Sequence, residues 1–194
     1  MDRILEILGF GVGLLYLWWE YHADVRVWLA SMVMPAISMW IYWSKGIYAD
    51  FAINIYYLLM AVYGYIIWRH GGSSEEKEEE APRPITHTPA WAWAAAFGCT
   101  MILWAAMAWF LRTYTDSTVP LADAFTTSLS IVATWMLARK YAEQWLAWLL
   151  VDVVCVGLYA YKGLIFYPVL YAIYCVIAVL GYRKWLRLMR KGEA

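Results

Sequence analysis

Seven apolar stretches, each about as long as a helix that crosses a hydrocarbon core, constrain this 194-residue chain more than any other feature. Backbone polar groups in lipid must hydrogen-bond within their own segment, and no alternating strand pattern is present, so helices are the predicted spans. The stretches are Ile4–Trp19, Val27–Trp43, Tyr48–Trp68, Pro89–Leu111, Leu121–Ala138, Trp145–Tyr161 and Phe166–Arg183. With 64% hydrophobic residues, the sequence predicts an all-α integral membrane protein of seven transmembrane helices.

The first stretch and the loop charges indicate how the chain enters the membrane. Asp2, Arg3 and Glu6 precede or begin the first stretch, which lacks a small-residue cleavage site, so we expect a retained helix rather than a signal peptide. If the N-terminus faces outwards, eleven of the fifteen Lys and Arg residues lie inside. The positive-inside rule then predicts an external N-terminus and a cytoplasmic C-terminus.

The sequence repeats itself at an offset of 117 residues. Between 45 and 68, eight of twenty-four residues are identical to those at 162–185, and Trp18 and Trp28 match Trp135 and Trp145. Three spans are duplicated, with the fourth span lying between the two triplets. Three spans leave the chain on the opposite side of the membrane, and the fourth span returns it to the starting side. Both copies therefore cross in the same direction, and we predict two parallel three-helix repeats in a 3+1+3 order. This architecture predicts a solute site between the repeats, near the midplane.

The domain boundaries follow from the repeat and from one polar interlude. We predict a first three-helix repeat at 1–68 and a second repeat with a basic cytoplasmic tail at 120–194. Residues 69–88, rich in Gly, Ser, Pro and Glu, are predicted to form a flexible cytoplasmic linker. Residues 89–119 are the predicted connector transmembrane helix.

One stripe of residues is shared by the third span and its copy. Its members are spaced three and four apart, which places them on one helix face. They are Asn54, Tyr57, Ala61, Gly64 and Trp68 in the first copy and Tyr171, Tyr174, Ala178, Gly181 and Trp185 in the second. We interpret the Ala and Gly positions as points of close helix approach and the two Trp residues as anchors at the cytoplasmic interface.

Solute specificity is expected where the copies differ, because two identical halves offer identical contacts, and a small ligand that lacks two-fold symmetry cannot bind both halves in the same way. The differing pairs are Asn54 and Tyr171, Pro35 and Asp152, Trp40 and Gly157, and Trp43 and Ala160. We therefore predict substrate-binding roles for Asp152, Asn54, Trp40, Trp43, Tyr57, Tyr171 and Tyr174.

Asp152 is the most informative of these residues. It lies about 15 Å into the sixth span, where a carboxylate is costly and is by default a functional hypothesis. Among Trp and Tyr side chains it would suit a flat cation, although a carboxylate satisfied by a Tyr hydroxyl is the structural alternative. Glu20 and Asp50 are interpreted as charges near span ends, where they cost little.

Other classes of protein fit the sequence less well. A retinal protein needs a buried lysine in its last helix, whereas Lys162 and Lys184 flank that helix. The three histidines fall in loops and no H-E-x-x-H motif occurs, so we predict no enzyme, no metal site and no cofactor. A membrane protein that only binds a partner stays open, as does an ion-coupled transporter that uses Asp152 to bind H⁺ or Na⁺.

Several longer runs of the sequence are distinctive. They are SIVATWMLARKYAEQWLAW at 130–148, the later LYAYKGL and LYAIYCVIAVLGYRKW, and GLLYLWWEY and GIYADFAINIYYLLMAVYGYIIW in the first repeat. These runs resemble the Pnu family of bacterial vitamin carriers. The resemblance implies a bundle similar to the SWEET sugar transporters, assembled as a homotrimer in the bacterial inner membrane. It also implies facilitated diffusion of a vitamin that a cytoplasmic kinase then traps.

Two positions depart from the family pattern for nicotinamide riboside. The resemblance implies amide side chains, Gln and Asn, where this chain has Asn54 and Asp152. Thiamine, another flat cation transported within the family, has an aminopyrimidine that can donate to a carboxylate. The acid at position 152 therefore favours thiamine slightly, with nicotinamide riboside as the alternative.

Overall fold

The computed structural model describes residues 13, 15–45, 48–71, 83–163 and 166–192. Within these ranges the chain forms seven helices, as predicted. The first, α1, is described over residues 15–21. The others are α2 (Arg26–Lys45), α3 (Tyr48–His70), α4 (Ala90–Tyr114), α5 (Pro120–Ala138), α6 (Gln144–Tyr161) and α7 (Phe166–Lys191). Most of the predicted first span lies outside the described residues, and α7 continues past its predicted end at Arg183.

Four helices, α4 to α7, are long and apolar enough to cross a membrane. The longest of them, α4 and α7, have the smallest share of residues buried inside the protein along their apolar stretches. Large side chains such as Phe97, Ile102 and Trp109 of α4 are exposed on the chain. Because an apolar surface of this kind is stable in lipid and unstable in water, the exposure fits an integral membrane protein.

The chain divides into two compact units. Unit 1 comprises Met1–Ile85, Ala138–Lys140 and Arg187–Ala194, and unit 2 comprises Thr86–Leu137 and Tyr141–Leu186. Helices α4 and α6 lie entirely in unit 2, as do α5 up to Leu137 and α7 up to Leu186.

In unit 1, α2 and α3 pack through a large ring and a small residue. Trp28 of α2 is buried, and its indole lies against Gly64 of α3, where an added Cβ would clash with the ring. The same indole meets the Trp68 ring edge-on, with centroids 5.6 Å apart. Gly64 is required here because any side chain would occupy the space of the Trp28 ring.

Unit 2 contains the same three-residue arrangement. Trp145 of α6 lies against Gly181 of α7 and meets Trp185 edge-on at 5.9 Å. A Cβ at Gly181 would come within 2.7 Å of the Trp145 ring. The close approach predicted at the glycines is confirmed in both units. Both tryptophan rings are fully buried by this packing, and their predicted position at the cytoplasmic interface stays a prediction.

Two interhelical turns adopt the left-handed conformation at positions 117 residues apart. Ala23 between α1 and α2 has φ 54°, and Lys140 between α5 and α6 has φ 57°. This region is unfavourable for residues with a Cβ, at about 1–2 kcal/mol. Its use by an alanine and by a lysine indicates that each turn is imposed by the helices it joins.

Residues 83–88, which the sequence analysis placed in the flexible linker, are anchored by specific contacts. In unit 2, Thr86 pairs with Tyr141, and the Ala142 amide donates to the Thr86 carbonyl at 3.0 Å. The Thr88 amide and hydroxyl both donate to the Glu143 carboxylate at 2.8 Å. Hydrogen bonds to Thr88 and His87 lower the pKa of Glu143 against the opposing effect of burial.

The unit 1 part of this segment contacts the buried Lys140. The Arg83 guanidinium donates to the Arg139 carbonyl at 3.0 Å, and Lys140 Nζ donates to the Arg83 carbonyl at 2.6 Å. Nζ also lies 4.9 Å from the centre of the Trp68 ring. Burial, and then the charge of Arg83, lower the pKa of Lys140 to about 8, although the carbonyl and the ring favour the charged form.

Candidate solute-binding site

Asp152 is held near the middle of α6. The helix runs from Gln144 to Tyr161, so Asp152 is roughly 12 Å from either end at 1.5 Å per residue. Its side chain is only 6% exposed. The surrounding run of Leu and Val forms a helix because every backbone group is bonded within it. An acid in such a run is a costly exception to the apolar pattern.

Four tyrosines form a contiguous aromatic column in unit 2. Tyr159 of α6 stacks on Tyr167 at 5.0 Å and on Tyr171 at 5.2 Å, with interplanar angles of 25° and 14°. Tyr171 then meets Tyr174 edge-on at 5.7 Å. We call Tyr159, Tyr167, Tyr171 and Tyr174 the tyrosine column. It joins the end of α6 to the first half of α7.

The tyrosine column lies beside Asp152. Both Tyr171 and Tyr174 are close enough to this carboxylate to interact with it electrostatically, and the Cys155 thiol shares a hydrogen bond with Tyr171. The structure thus brings together three of the predicted site residues, Asp152, Tyr171 and Tyr174. A buried carboxylate beside ring faces combines charge pairing with cation–π attraction, which suits a flat organic cation.

Sequence reasoning missed Tyr159 and Cys155 as members of this cluster. Asp152, Cys155 and Tyr159 are spaced three and four apart, so they share one face of α6. That periodicity was the signal available in the sequence.

An ion pair lies at the end of the tyrosine column. Lys162, which follows α6, pairs with Asp123 of α5 at 3.1 Å and lies 5.9 Å from the Tyr159 ring. The Ser117 hydroxyl donates to the same carboxylate at 2.8 Å. The charges of Lys162 and Asp123 offset each other, so the polar group at the end of the tyrosine column is nearly neutral overall.

The remaining predicted residues belong to unit 1. Asn54 and Tyr57 lie one turn apart on α3, both half-buried, and Tyr57 meets Tyr56 edge-on at 5.4 Å. Trp40 and Trp43 of α2 are 77% and 60% exposed.

The two tryptophans form a separate feature of unit 1. They line a groove of about 440 Å³ together with Ala36, Met39 and Phe51, and the Trp43 and Phe51 rings are 5.2 Å apart. Asn54 and Tyr57 are not among its lining residues. A substrate role for these four residues stays a prediction.

Glu20 lies at the end of α1, as the sequence analysis expected, but the residue is only 2% exposed. A buried carboxylate is costly even at a helix end, so the low cost expected for this charge is wrong. The Tyr16 hydroxyl, one turn earlier on α1, donates to its carboxylate, and Tyr57 lies near enough to Tyr16 for their hydroxyls to interact. The signal in the sequence was the repeat itself, since Tyr16 and Glu20 correspond to Ala133 and Leu137.

Comparison with known proteins identifies related chains. Residues 3–187 match the family model described as nicotinamide mononucleotide transporter. The chain is 24% identical over 208 residues to a nicotinamide riboside transporter PnuC of Escherichia coli (strain K12), covering 96% of this chain and 87% of that protein. It is 32% identical over 137 residues to the riboflavin/roseoflavin transporter RibM of Streptomyces davaonensis, covering 70% and 63% of the two chains.

A solved structure shows the same fold. The chain superposes on a crystal structure of the vitamin B3 transporter PnuC with a TM-score of 0.65 at 20% identity. The superposition covers 93% of this chain and 79% of that one.

Proposed function

Because the chain belongs to the nicotinamide mononucleotide transporter family, as its resemblance to the Pnu carriers led us to expect, we propose that it takes up a small, flat, cationic vitamin. It is a multi-pass membrane protein of a transporter family. The observation that carries the proposal is the buried Asp152 beside the tyrosine column. A carboxylate among stacked ring faces stabilises an organic cation that has left water.

Nicotinamide riboside is the first solute to test. It is named for relatives that match nearly the whole of this chain, and its pyridinium ring is flat and positively charged. Thiamine is the second, since the acid at position 152 can accept a hydrogen bond from an aminopyrimidine.

Riboflavin is a second candidate function with its own support. RibM, at 32% identity, is named for this vitamin. Riboflavin is flat but uncharged, so it could use the ring faces of the tyrosine column while Asp152 accepted hydrogen bonds from its hydroxyl groups. Its binding would therefore depend less on the charge of Asp152 than the binding of either cation.

For the mechanism, we propose facilitated diffusion into the cytoplasm with trapping by a kinase, in a homotrimer of parallel 3+1+3 bundles. This proposal rests on the family resemblance. The repeated Trp–Gly–Trp packing and the paired left-handed turns support the duplication of the three-helix repeat. Coupling to H⁺ or Na⁺ is the competing mechanism.

Counterflow in proteoliposomes tests the function. Purified protein would be reconstituted with unlabelled vitamin inside and labelled vitamin outside, for nicotinamide riboside, thiamine and riboflavin in turn. We expect accumulation of at least one cation, unchanged when a pH or Na⁺ gradient is imposed. Accumulation of riboflavin alone would replace the cation proposal, and dependence on a gradient would replace facilitated diffusion.

The proposed orientation has a separate test. A Ser73→Cys variant places a thiol in the linker that we assign to the cytoplasm. An impermeant thiol reagent is expected to label it only after the inner membrane is opened. Labelling in intact spheroplasts would reverse the orientation.

A further inference from the structure

A groove lies along the end of α4 and reaches the first turn of α5. It has a volume of about 500 Å³ and is lined by six residues of α4 and by Leu121 of α5. All of these residues belong to unit 2, and the site built around Asp152 uses none of them. The volume is in the range of pockets that hold small organic molecules, about 300–1,000 Å³. We call this feature the α4 groove.

The sequence of α4 explains the shape of the groove. Its six residues form two adjacent rows on the helix surface, because residues four apart are neighbours on a helix. The rows are Trp104, Ala108 and Arg112, and Ala105, Trp109 and Thr113. Each row contains one tryptophan, one alanine and one polar residue in the last turns. The short alanine side chains beside the large indole rings make the surface concave.

One wall of the α4 groove is fixed by contacts with α5. The Trp104 indole donates to the Leu121 carbonyl at 2.9 Å, and its ring meets Phe125 edge-on at 5.6 Å. Trp109, in the other row, is 62% exposed. The protein therefore holds the groove in shape by its own contacts and leaves one aromatic wall open to the surroundings.

The groove lies where lipid chains meet lipid headgroups. Helix α4 has 25 residues and is about 37 Å long, whereas the hydrocarbon core of a bilayer is about 30 Å thick. If α4 spans the membrane, its last turn reaches the headgroup level. Indole rings are enriched at this boundary. The tryptophans of the groove would then face acyl chains, and Arg112 would face headgroups.

Arg112 supplies a positive charge at the headgroup end. Its side chain is exposed and forms no hydrogen bond or ion pair with any residue that the structure describes. Asp116, four residues later, does not line the groove, and Asp123 is paired with Lys162. A guanidinium in this position is complementary to a phosphate, to which it can donate two hydrogen bonds.

We propose that the α4 groove binds an anionic phospholipid, with the lipid phosphate on Arg112 and an acyl chain between the two indole rings. A zwitterionic phospholipid carries the same phosphate together with its own positive charge, so Arg112 attracts it less strongly. This lipid site is separate from the solute site and goes beyond the proposed function.

Native mass spectrometry on purified, delipidated protein tests the lipid site. The protein would be titrated with phosphatidylglycerol and with phosphatidylcholine of identical acyl chains. The wild type is expected to bind phosphatidylglycerol about fivefold more tightly, the effect of one basic contact with an anionic lipid. Arg112→Gln should remove this preference. Arg190→Gln removes an exposed arginine from the last turn of α7 and should leave the preference unchanged.

A second pair of variants tests the groove without changing any charge. Ala105→Leu fills the space between the indole rings and should weaken the binding of both lipids, because the acyl chain loses its contacts there. Ala105 is exposed, so the variant is expected to fold. Ala95→Leu makes the same change at an exposed position ten residues earlier on α4 and should leave both affinities unchanged.

Several results would overturn the lipid site. Equal losses in Arg112→Gln and Arg190→Gln would indicate general attraction between charges, and equal losses in Ala105→Leu and Ala95→Leu would exclude the groove. Binding of glycerol 1-phosphate as tight as that of phosphatidylglycerol would indicate a site for the phosphate alone. Loss of an oligomer in Ala105→Leu, with lipid binding unchanged, would assign the groove to a second copy of the chain. A protein that binds phosphatidylglycerol as expected and transports none of the vitamins overturns only the proposed function.

Discussion

Units 1 and 2 use the same packing and different chemistry. In each, a buried tryptophan lies against a glycine and meets a second tryptophan edge-on, at 5.6 Å in unit 1 and 5.9 Å in unit 2. Their polar groups do not correspond. Unit 1 buries Glu20 on α1, where unit 2 has a leucine, and unit 2 buries Asp152 on α6, where unit 1 has Pro35.

The difference shows which parts of the two units are free to change. Trp28 and Gly64 are constrained together, because altering either partner leaves a clash or a cavity. Residues at a solute site would instead be constrained by a ligand that lacks two-fold symmetry. Identity between the units is therefore expected at the helix contacts, and divergence is expected at the positions proposed to bind the solute.

The comparison predicts its largest effect at Asp152. Asp152→Asn should weaken binding of a cationic vitamin by about 2–5 kcal/mol, or roughly 30-fold or more, because a desolvated charge partner is lost. Adding Asn54→Gln restores the amides expected for nicotinamide riboside carriers and should move selectivity towards that vitamin. Calorimetry with thiamine and nicotinamide riboside measures both effects. Wild-type affinities in the single and double variants would make Asp152 a structural residue.

The shared packing predicts equal losses of stability in the two units. Gly64→Ala and Gly181→Ala each force a methyl group into an indole ring and should each cost about 1–3 kcal/mol. Gly157→Ala is the matched control, since a Cβ there meets nothing within 4 Å. Thermal unfolding of the purified variants is the measurement. A loss confined to one glycine would show that the two contacts are not equivalent.

The two left-handed turns are predicted to differ in their dependence on pH. The folded pKa of Lys140, about 8, is below its unfolded value, so the unfolded state binds more protons between these values. The free energy of unfolding should therefore rise by up to about 1 kcal/mol per pH unit as the pH increases from about 8 towards the unfolded pKa of Lys140. Lys140→Met should flatten this rise, whereas Ala23→Ser, at the equivalent uncharged turn, should keep it. Parallel thermal unfolding curves from pH 7 to 10 for wild type and Lys140→Met would contradict the assignment.

The smallest effect is expected from the exposed aromatic groove of unit 1. If Trp40 stacks on the solute, Trp40→Ala should weaken binding by about 1 kcal/mol, the low end for a ring so exposed. Trp18→Ala removes another exposed tryptophan of unit 1 and serves as the control. Unchanged affinity in a folded Trp40→Ala protein would exclude Trp40 from the site.

The sequence predicted the helices and the glycine contacts because their signals are local. A span needs a run of apolar residues, and a close approach needs a glycine at helical spacing from its neighbours. Asp152 is conspicuous in the sequence because it is an acid in an apolar run. It lies near Tyr171 and Tyr174, while Asn54, Trp40 and Trp43 belong to the other unit, and the solute-binding role of all six stays a prediction.

The burial of Glu20 and the contacts of residues 83–88 could not be predicted because both depend on how the folded chain packs. Glu20 lies at the edge of an apolar run, where position alone suggests exposure, and its burial is set by tertiary packing. Residues 83–88 have a polar composition typical of linkers. They are ordered by the turn between α5 and α6, more than fifty residues later, through Glu143 and Lys140.

The anchoring of residues 86–88 has a consequence for engineering the chain. Because Thr86 and Thr88 are bonded to Ala142 and Glu143, the start of α4 is positioned inside unit 2 whatever precedes it. Doubling the length of a flexible loop costs only about 0.6 kcal/mol of closure entropy. An epitope or a fluorescent domain inserted after Ser74 lies before these bonds and should therefore be tolerated, whereas the same insertion after Thr86 would separate the Thr86–Ala142 bond from the Thr88–Glu143 bonds.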